Sequence, residues 1–230
     1  LLDMGARELG MAPEEIRRRN FIKTTAMPYT SGTGHIYDSG EFANVMDKCL
    51  ALADWNGFEA RRADSEARGL RRGRALAYYI EIGGRMNERM ELRCDPGGTV
   101  TIVAGTHSHG QGHATTYAQM VTEWLGVPFE KIRFVQGDTD QVPFGRGSFA
   151  ARASMLGGCA LLLASREMIE KGKRMAAHLM EAAVKDIDFN DGMFRIAGTD
   201  RALPFAEVAK AFYRAVGIPR DLSVGLEASG

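Results

Sequence analysis

Residues 89–104, RMELRCDPGGTVTIVA, decide the fold class of this 230-residue chain. Two runs in which apolar and polar residues alternate, 89–95 and 99–104, predict β-strands. The Pro96-Gly97-Gly98 sequence between them is typical of a tight turn, which would join the strands as a hairpin. Residues 74–81 show a similar pattern and predict a third strand, so we expect an antiparallel meander.

Helical periodicity flanks the predicted meander on both sides. Helices are predicted over residues 1–10, from Pro13, over 39–55, 118–125 and 156–185, and from Pro204, with further strands at 132–136 and 193–197. The charged residues 61–72 read as a helix surface or a connector. Because strands and helices do not alternate strictly, we predict the α+β class, with a mixed or antiparallel sheet packed with helices. The predicted domains are a helical segment and connector, 1–72, and an α+β domain, 73–230.

The composition excludes several classes of function. Lys plus Arg and Asp plus Glu both total 29, so no net charge favours nucleic acid or an anionic membrane surface. No apolar run approaches the roughly 20 residues that span a bilayer. The cysteines, Cys49, Cys94 and Cys159, lie far apart and form no zinc or iron–sulfur pattern. We expect a cytoplasmic protein with a small-molecule substrate or a protein partner.

Two glycine-rich loops beside helices are the candidate site. The first is GTHSHGQGH, residues 105–113, in which Gly110 and Gly112 would let the backbone approach a ligand. The amides that follow Gly112 would point from a helix N-terminus at an anion. Gln111 has both donors and an acceptor, which suits the mixed edge of a pterin, and His113 adds a polar contact. The second runs over residues 136–152, QGDTDQVPFGRGSFAAR.

Other interpretations of these loops remain open from the residues alone. The three histidines of the first loop could bind a metal or simply fill the loop, although no acid or cysteine has suitable spacing. The second loop could be ordinary surface. Asp138, Asp140 and Glu123 are the nearby acids that could act as a base, but such acids are more often caps or solvated groups. Neither GxGxxG nor GxxxxGK[ST] is present, which excludes both common nucleotide fingerprints.

The loops and their surroundings resemble one enzyme family. Residues 105–112, WLGVP at 124–128, VQGDTD at 135–140 and GRGS at 145–148 are similar, in matching order, to the xanthine dehydrogenase and aldehyde oxidase family. ARELG at 6–10 and IRRRNF at 16–21 resemble the segment that follows that family's active-site loop. The resemblance covers most of residues 1–185 and is greatest to the aerobic carbon monoxide dehydrogenase large subunits.

This resemblance implies a molybdopterin-binding domain whose two loops hold the cofactor. The residues that inherit this role are Gly110, Gln111, Gly112 and His113 in the first loop and Gly147, Ser148, Phe149, Ala150, Ala151 and Arg152 in the second. The chain departs from the family at Ala114, where an acid is common, and at Ala151 and Ala153, where the family loop is rich in serine. These alanines imply fewer polar contacts with the cofactor.

The resemblance also implies which parts lie elsewhere. The cofactor would be molybdopterin cytosine dinucleotide with molybdenum, and FAD and 2Fe–2S clusters would lie on other subunits. The family's glutamate base and substrate-side loop have no match here, so we expect no catalytic residue and no metal ligand in this chain. The sequence starts inside an amphipathic helix, and residues 224–230 show no closing helix or strand signal. We therefore expect a fragment that works with the remainder of a large subunit.

Two rival functions follow from the same residues. The first is a hydroxylase of the same family that acts on an N-heterocycle or an aldehyde, since the cofactor loops are shared and substrate is selected elsewhere. The second is a non-catalytic assembly module that binds no cofactor, for which the alanines of the second loop are the best support.

Overall fold

The computed structural model describes residues 1–214, 217–222 and 225–230. These residues form two compact units, Leu1–Tyr79 and Ile80–Gly230. The domain boundary after residue 72 stays a prediction. In the described part of the chain, no helix is both long enough and apolar enough to cross a membrane.

The first unit contains four helices and one small hairpin. The helices are α1 (Leu2–Glu8), α2 (Pro13–Asn20), α3 (Phe42–Leu52) and α4 (Phe58–Ala67), and β1 (Tyr29–Thr30) pairs antiparallel with β2 (Ile36–Tyr37). In α2, proline takes a first-turn position that needs no N–H donor, and Glu14 and Glu15 face the positive end of the helix dipole. The first three helices confirm the predicted ones, and α4 accounts for part of the charged stretch.

The strand predicted over residues 74–81 is wrong, because these residues form neither helix nor strand. A strand forms by hydrogen bonding to the backbone of a partner strand. Up to residue 79 this segment belongs to the first unit, where side chains contact it. Arg17 of α2 donates from Nη2 to the carbonyl oxygen of Leu76 at 2.6 Å. The guanidinium of Arg74 lies 4.2 Å from the ring centroid of Trp55. Its alternating apolar pattern therefore does not indicate sheet pairing.

A mixed four-stranded sheet, in the order β5-β4-β3-β9, organises the second unit. The predicted hairpin is formed by β3 (Met90–Cys94) and β4 (Val100–Ala104), and β5 (Ile132–Gln136) lies parallel to β4. The other neighbour of β3 is β9 (Leu226–Ser229), which runs antiparallel to it. The mixed sheet confirms the α+β class, but its third antiparallel strand comes from the end of the chain.

Strand β9 corrects the prediction that residues 224–230 carry no strand; residue 224 itself lies outside the described residues. Only Leu226 and Ala228 in this strand are apolar, and both are buried. A strand this short shows too little alternation to be recognised from sequence. Its pairing continues to Gly230, whose N–H donates to the carbonyl oxygen of Met90 at 3.0 Å.

Two long helices pack against the sheet and complete the core. Helix α5 (His113–Leu125) buries Tyr117 and Val121, and α6 (Gly158–Leu179) buries Leu161 and Met168. Both helices confirm predicted ones. The predicted burial of residues 161–164 in the first half of α6 is confirmed for Leu161 and Ala164, whereas Leu163 is 56% exposed. The predicted span of 156–185 was too long, because α6 is preceded by a π-helical turn, Ala153–Gly157, and ends where Glu181 takes a left-handed φ of 49°.

A second, smaller sheet lies in the same unit after α6. It contains β6 (Ile187–Asn190), β7 (Met193–Ile196) and β8 (Ala202–Pro204) in sequence order, all antiparallel, and is followed by α7 (Phe205–Ala211). Strand β7 and the helix that begins after Pro204 confirm the predicted elements, whereas β6 and β8 were not predicted.

Candidate functional site

The two glycine-rich loops follow the carboxyl ends of two neighbouring strands of the sheet. Strands β4 and β5 are parallel and in register, so that Ala104 pairs with Gln136 at their carboxyl ends. The first loop, residues 105–113, connects β4 to α5 and ends at the first residue of that helix, and the second loop, residues 136–152, begins at the last residue of β5 and leads toward α6. In open α/β sheets, ligands bind outside the carboxyl ends of parallel strands, and β4 and β5 form one such parallel pair within this mixed sheet.

Two hydrogen bonds and a close approach of two glycines hold the two loops against each other. The N–H of Gly147 donates to the carbonyl oxygen of Gly105 at 3.1 Å. The N–H of His107 donates to the hydroxyl oxygen of Ser148, also at 3.1 Å. A Cβ on Gly105 would lie only 2.7 Å from the Cα of Gly145. The loops can approach this closely only because both residues are glycines.

The first loop is also held by a hydrogen bond to the end of β5 and by one inside the loop. The N–H of Ser108 donates to the side-chain oxygen of Gln136, the last residue of β5, at 2.9 Å. The side-chain oxygen of Gln111 accepts a short hydrogen bond from the N–H of His109. Gly110 and Gly112 have φ values of 114° and 75°, and a Cβ on either residue would meet nothing within 4 Å. The tip of the loop is therefore open to a ligand on the side of these glycines.

His113 is the predicted site residue that the structure leaves unsatisfied. It is the first residue of α5 and is 7% exposed, and its Nδ1 atom is buried with no hydrogen-bond partner. Burial lowers the pKa of His113 below its ordinary value of 6.5, and the nearby His109 and His107 lower it further. The ring is therefore mainly neutral near pH 7 and has a polar atom without a partner; the Thr122 hydroxyl of the same helix is another such atom among the described residues.

The second loop has a strained backbone. Ala150 and Ala151 both have φ values of 50°, in the left-handed region that side chains rarely adopt, and Gly147 has a φ of 75°. Ser148 is partly buried against the first loop, whereas the ring of Phe149 is 44% exposed. The π-helical turn that follows this loop is a deviation often found at functional sites.

Arg152 ends the second loop and is completely buried. Its guanidinium donates to Glu88 and to the carbonyl oxygens of Arg85, Asn87 and Gly147. Both side chains of the Arg152–Glu88 ion pair are 0% exposed. The structure thus brings the predicted residues together on two adjoining loops, but it places Arg152 beneath them.

The histidines and acids near the loops have ordinary surroundings. The rings of His107 and His109 are 4.8 Å apart, yet the described residues contain no group of three or more His, Cys, Asp or Glu that could hold a metal ion. Asp138 accepts hydrogen bonds from the side chain of Gln141 and from the N–H of Asp140, which lower the pKa of its carboxyl group. A carboxylate stabilised in this way is a turn cap and a poor base.

Several residues of the site were not singled out from the sequence. Glu88 looks like a surface charge beside a strand, and Tyr117 looks like an ordinary core residue of an amphipathic helix. In the structure the Tyr117 hydroxyl donates to the carbonyl oxygen of Ala153 at 2.8 Å and lies 3.2 Å from the Thr106 hydroxyl. The only signal for Tyr117 was a hydroxyl on a core-facing position, which needs a buried partner.

Comparisons with known proteins agree with this geometry. Residues 48–230 match the family model of the molybdopterin cofactor-binding domain. The chain is 34% identical to the carbon monoxide dehydrogenase large chain of Hydrogenophaga pseudoflava, over 99% of this chain and 30% of that one. It is 30% identical to the nicotine 6-hydroxylase large subunit of Paenarthrobacter nicotinovorans, over 93% and 28% respectively.

A solved structure shows the same fold. The carbon monoxide dehydrogenase of Oligotropha carboxidovorans matches with a TM-score of 0.62 and 31% identity, over 100% of this chain and 31% of that one. The chain thus spans about a third of the length of these relatives. Because the family model covers most of the chain and includes both loops, the chain belongs to the molybdopterin cofactor-binding domain family.

Proposed function

We propose that this chain is the cofactor-holding part of a molybdenum hydroxylase large subunit, and that the complete protein is an oxidoreductase of the carbon monoxide dehydrogenase type. The observation that carries the proposal is the pair of joined loops at the carboxyl ends of β4 and β5. One loop alone would be a common surface feature. Two glycine-rich loops fixed against each other form a preorganised surface for a ligand.

The residues present fit a molybdopterin cofactor. The open space at Gly110 and Gly112 gives a planar ring access to the backbone, and the buried Nδ1 of His113 lacks a partner that a ligand can supply. The oxygen of Gln111 is used inside the loop, so its amide NH2 group is the part that donates to the ligand. The bound cofactor supplies the redox chemistry, and the protein residues orient it.

The second loop adds contacts of a different kind. The hydroxyl oxygen of Ser148 accepts the N–H of His107, which leaves its own hydrogen for a ligand acceptor. Phe149 offers an exposed aromatic face. At Gly147, Ala150 and Ala151 the side chains are absent or small, so the ligand binds to backbone groups there. The loss of serine hydroxyls relative to the family therefore still leaves a usable site.

The finer features of the function extend this proposal. The cofactor is the cytosine dinucleotide form, and FAD and 2Fe–2S subunits carry the electrons away from it. The names of two relatives, a large chain and a large subunit, imply further subunits in those proteins. The cysteines of the described residues are all free, which fits a cytoplasmic location and the placement of the iron–sulfur clusters on other chains.

A second candidate function is hydroxylation of an N-heterocycle. The similarity to nicotine 6-hydroxylase over most of this chain favours it, because that relative differs little in identity from the carbon monoxide dehydrogenase. The two loops do not distinguish these substrates, since they contact the cofactor. A pure assembly role is not favoured, because it accounts neither for the open space at the tip of the first loop nor for the buried His113 nitrogen that has no hydrogen-bond partner.

The test is the cofactor content of the protein encoded by the complete reading frame. Gln111→Ala removes the proposed donor, and we expect cofactor to be bound about two- to tenfold more weakly, the usual effect of one hydrogen bond. Gln119→Ala, on the exposed face of α5, is the matched control and should leave the content unchanged. Molybdenum is measured by mass spectrometry and pterin by fluorescence after oxidation. Equal contents in the two variants would exclude Gln111 as a contact.

A further inference from the structure

The buried Arg152–Glu88 pair touches both cofactor loops. Arg152 donates from Nη1 to the carbonyl oxygen of Gly147 at 2.7 Å, which closes the second loop on itself. Glu88 lies against the first loop, since its Oε1 atom would be 2.4 Å from a Cβ on Gly105. The N–H of Gly147 in turn donates to the carbonyl oxygen of Gly105. A continuous chain of contacts therefore runs through these four residues.

The donors of Arg152 are almost fully used by the protein. Nε donates to the carbonyl oxygen of Arg85 at 3.3 Å, Nη2 to that of Asn87 at 2.5 Å, and Nη1 to both Glu88 and Gly147. A guanidinium has five N–H groups, and four of them have acceptors here. The side chain is also 0% exposed, so it presents no surface to a ligand.

The charge of Arg152 is also balanced inside the protein. Glu88 is its carboxylate partner, and the second oxygen of Glu88 accepts the N–H of Arg89 at 3.0 Å. A paired cation has little attraction left for the phosphates of an anionic cofactor. The arrangement is that of a rigid brace, in which one planar side chain holds carbonyl groups from two separate segments.

We propose that Arg152 and Glu88 are positioning residues, which fix the second loop against the first and thereby set the shape of the cofactor site. This proposal rests on the proposed function. It assigns Arg152 a role different from the direct cofactor contact that family resemblance implies, and it adds Glu88, which the sequence did not single out. The strained left-handed residues Ala150 and Ala151 lie between the points that the brace holds.

The two possible roles of Arg152 predict opposite effects of Glu88→Gln. If Arg152 attracted the anionic cofactor directly, removal of the opposing carboxylate would leave binding unchanged or make it tighter. If the pair is a brace, the variant weakens the contact that holds the loops and cofactor leaves faster. Arg152→Lys should have the same effect, because an ammonium group cannot reach four acceptors in the fork geometry of a guanidinium.

A second buried arginine offers a matched control. Arg17 in the first unit is 5% exposed and donates to one carboxylate, that of Asp3, and to the carbonyl oxygens of Pro13 and Leu76. Arg17→Lys therefore disturbs a similar set of partners in the other compact unit. Any loss of cofactor that results only from general destabilisation will appear in this variant as well.

The experiment measures how fast pterin leaves the purified complete protein. Variants are incubated at 25 °C, below their unfolding midpoints, and pterin in the filtrate is followed by fluorescence after oxidation. We expect Glu88→Gln and Arg152→Lys to release pterin at least about tenfold faster than the unaltered protein, with Arg17→Lys close to it. Should Arg152→Lys not fold, the isosteric Glu88→Gln, compared with Arg17→Lys, decides the matter.

Two results would overturn the proposal while the proposed function stands. One is a Glu88→Gln protein that releases pterin at or below the unaltered rate, which would make Arg152 a direct ligand contact. The other is an Arg17→Lys protein that releases it as fast as the two loop variants. An unaltered protein that contains no pterin would instead overturn the proposed function, and this proposal with it.

Discussion

Substitution of Tyr117 by Phe removes one hydroxyl group at the point where the two loops and the core meet. That hydroxyl donates to the carbonyl oxygen of Ala153 at 2.8 Å and lies 3.2 Å from the hydroxyl of Thr106. Thr106 belongs to the first loop, and Ala153 begins the π-helical turn after the second loop. Tyr117 is 1% exposed, so water cannot easily replace the lost group.

The expected cost follows from these contacts. A buried acceptor left without its donor costs about 1–3 kcal/mol, which corresponds to a roughly five- to 150-fold change in an opening equilibrium. Phenylalanine keeps the ring and its packing, so no cavity term adds to this value. Thr106→Val combined with Tyr117→Phe should cost less than the sum of the two single changes, because the double variant removes both members of one hydrogen-bonded pair.

Peptide-level hydrogen exchange of the complete protein measures this local opening directly. We expect amides in peptides over residues 106–117 and 153–157 to exchange faster in Tyr117→Phe by the factor given above. Peptides from the first unit, such as those covering α2, should be unchanged. Unchanged protection in the loop peptides would refute the structural role assigned to the hydroxyl, and uniform loss throughout the protein would show that the effect is not local.

Three further predictions concern single groups. Gly105→Ala places a Cβ 2.4 Å from a Glu88 oxygen and should lower the melting temperature and the cofactor content, at a cost of about 1–3 kcal/mol, whereas Gly73→Ala, which meets nothing within 4 Å, should change neither. The pKa of His113 is lower in the folded protein than in the unfolded chain, so the unfolded chain takes up the proton at higher pH and the protein loses stability as pH drops below about 6.5. The melting temperature of His113→Gln should therefore fall less between pH 7.5 and pH 5.5 than that of the unaltered protein. An equal fall would contradict this. Burial raises the pKa of the Cys94 thiol to about 12, so iodoacetamide should modify exposed Cys159 in the folded protein and Cys94 only after unfolding, as mass spectrometry can show; equal rates would exclude its burial.

The sequence predicts those elements whose signal is local. The hairpin of β3 and β4 has both the alternating pattern and a Pro-Gly-Gly turn, and α5 ends at Gly126, which takes the left-handed conformation typical of a helix end. Residues 74–81 have the same alternating pattern as a strand, yet no local feature states whether a partner strand exists. Strand β9 is the opposite case, a strand that exists but was not predicted, because its partner lies far away in sequence and its own alternating pattern is too short.

In the candidate site, too, local features were predicted and long-range contacts were not. Gln111 and the glycines of the loops were predicted, because glycine density beside a helix start is visible in sequence and resembles a known family. The network beneath the loops was not predicted, because it depends on three-dimensional proximity. Glu88 reaches Arg152 across 64 positions of sequence, and both look like solvated charges until the fold buries them. Family resemblance names the residues of a loop without separating those that contact a ligand from those that support it.

The position of the cofactor in the complete protein tests the central claim most directly. An electron density map of that protein, purified with its cofactor, should show the pterin between residues 110–113 and 147–151, within about 3 Å of the Gln111 amide and of the Ser148 hydroxyl. The same map should show Arg152 beneath the loop, with no contact to the cofactor. A pterin bound elsewhere, or a map in which both loops face only solvent or protein, would contradict the account.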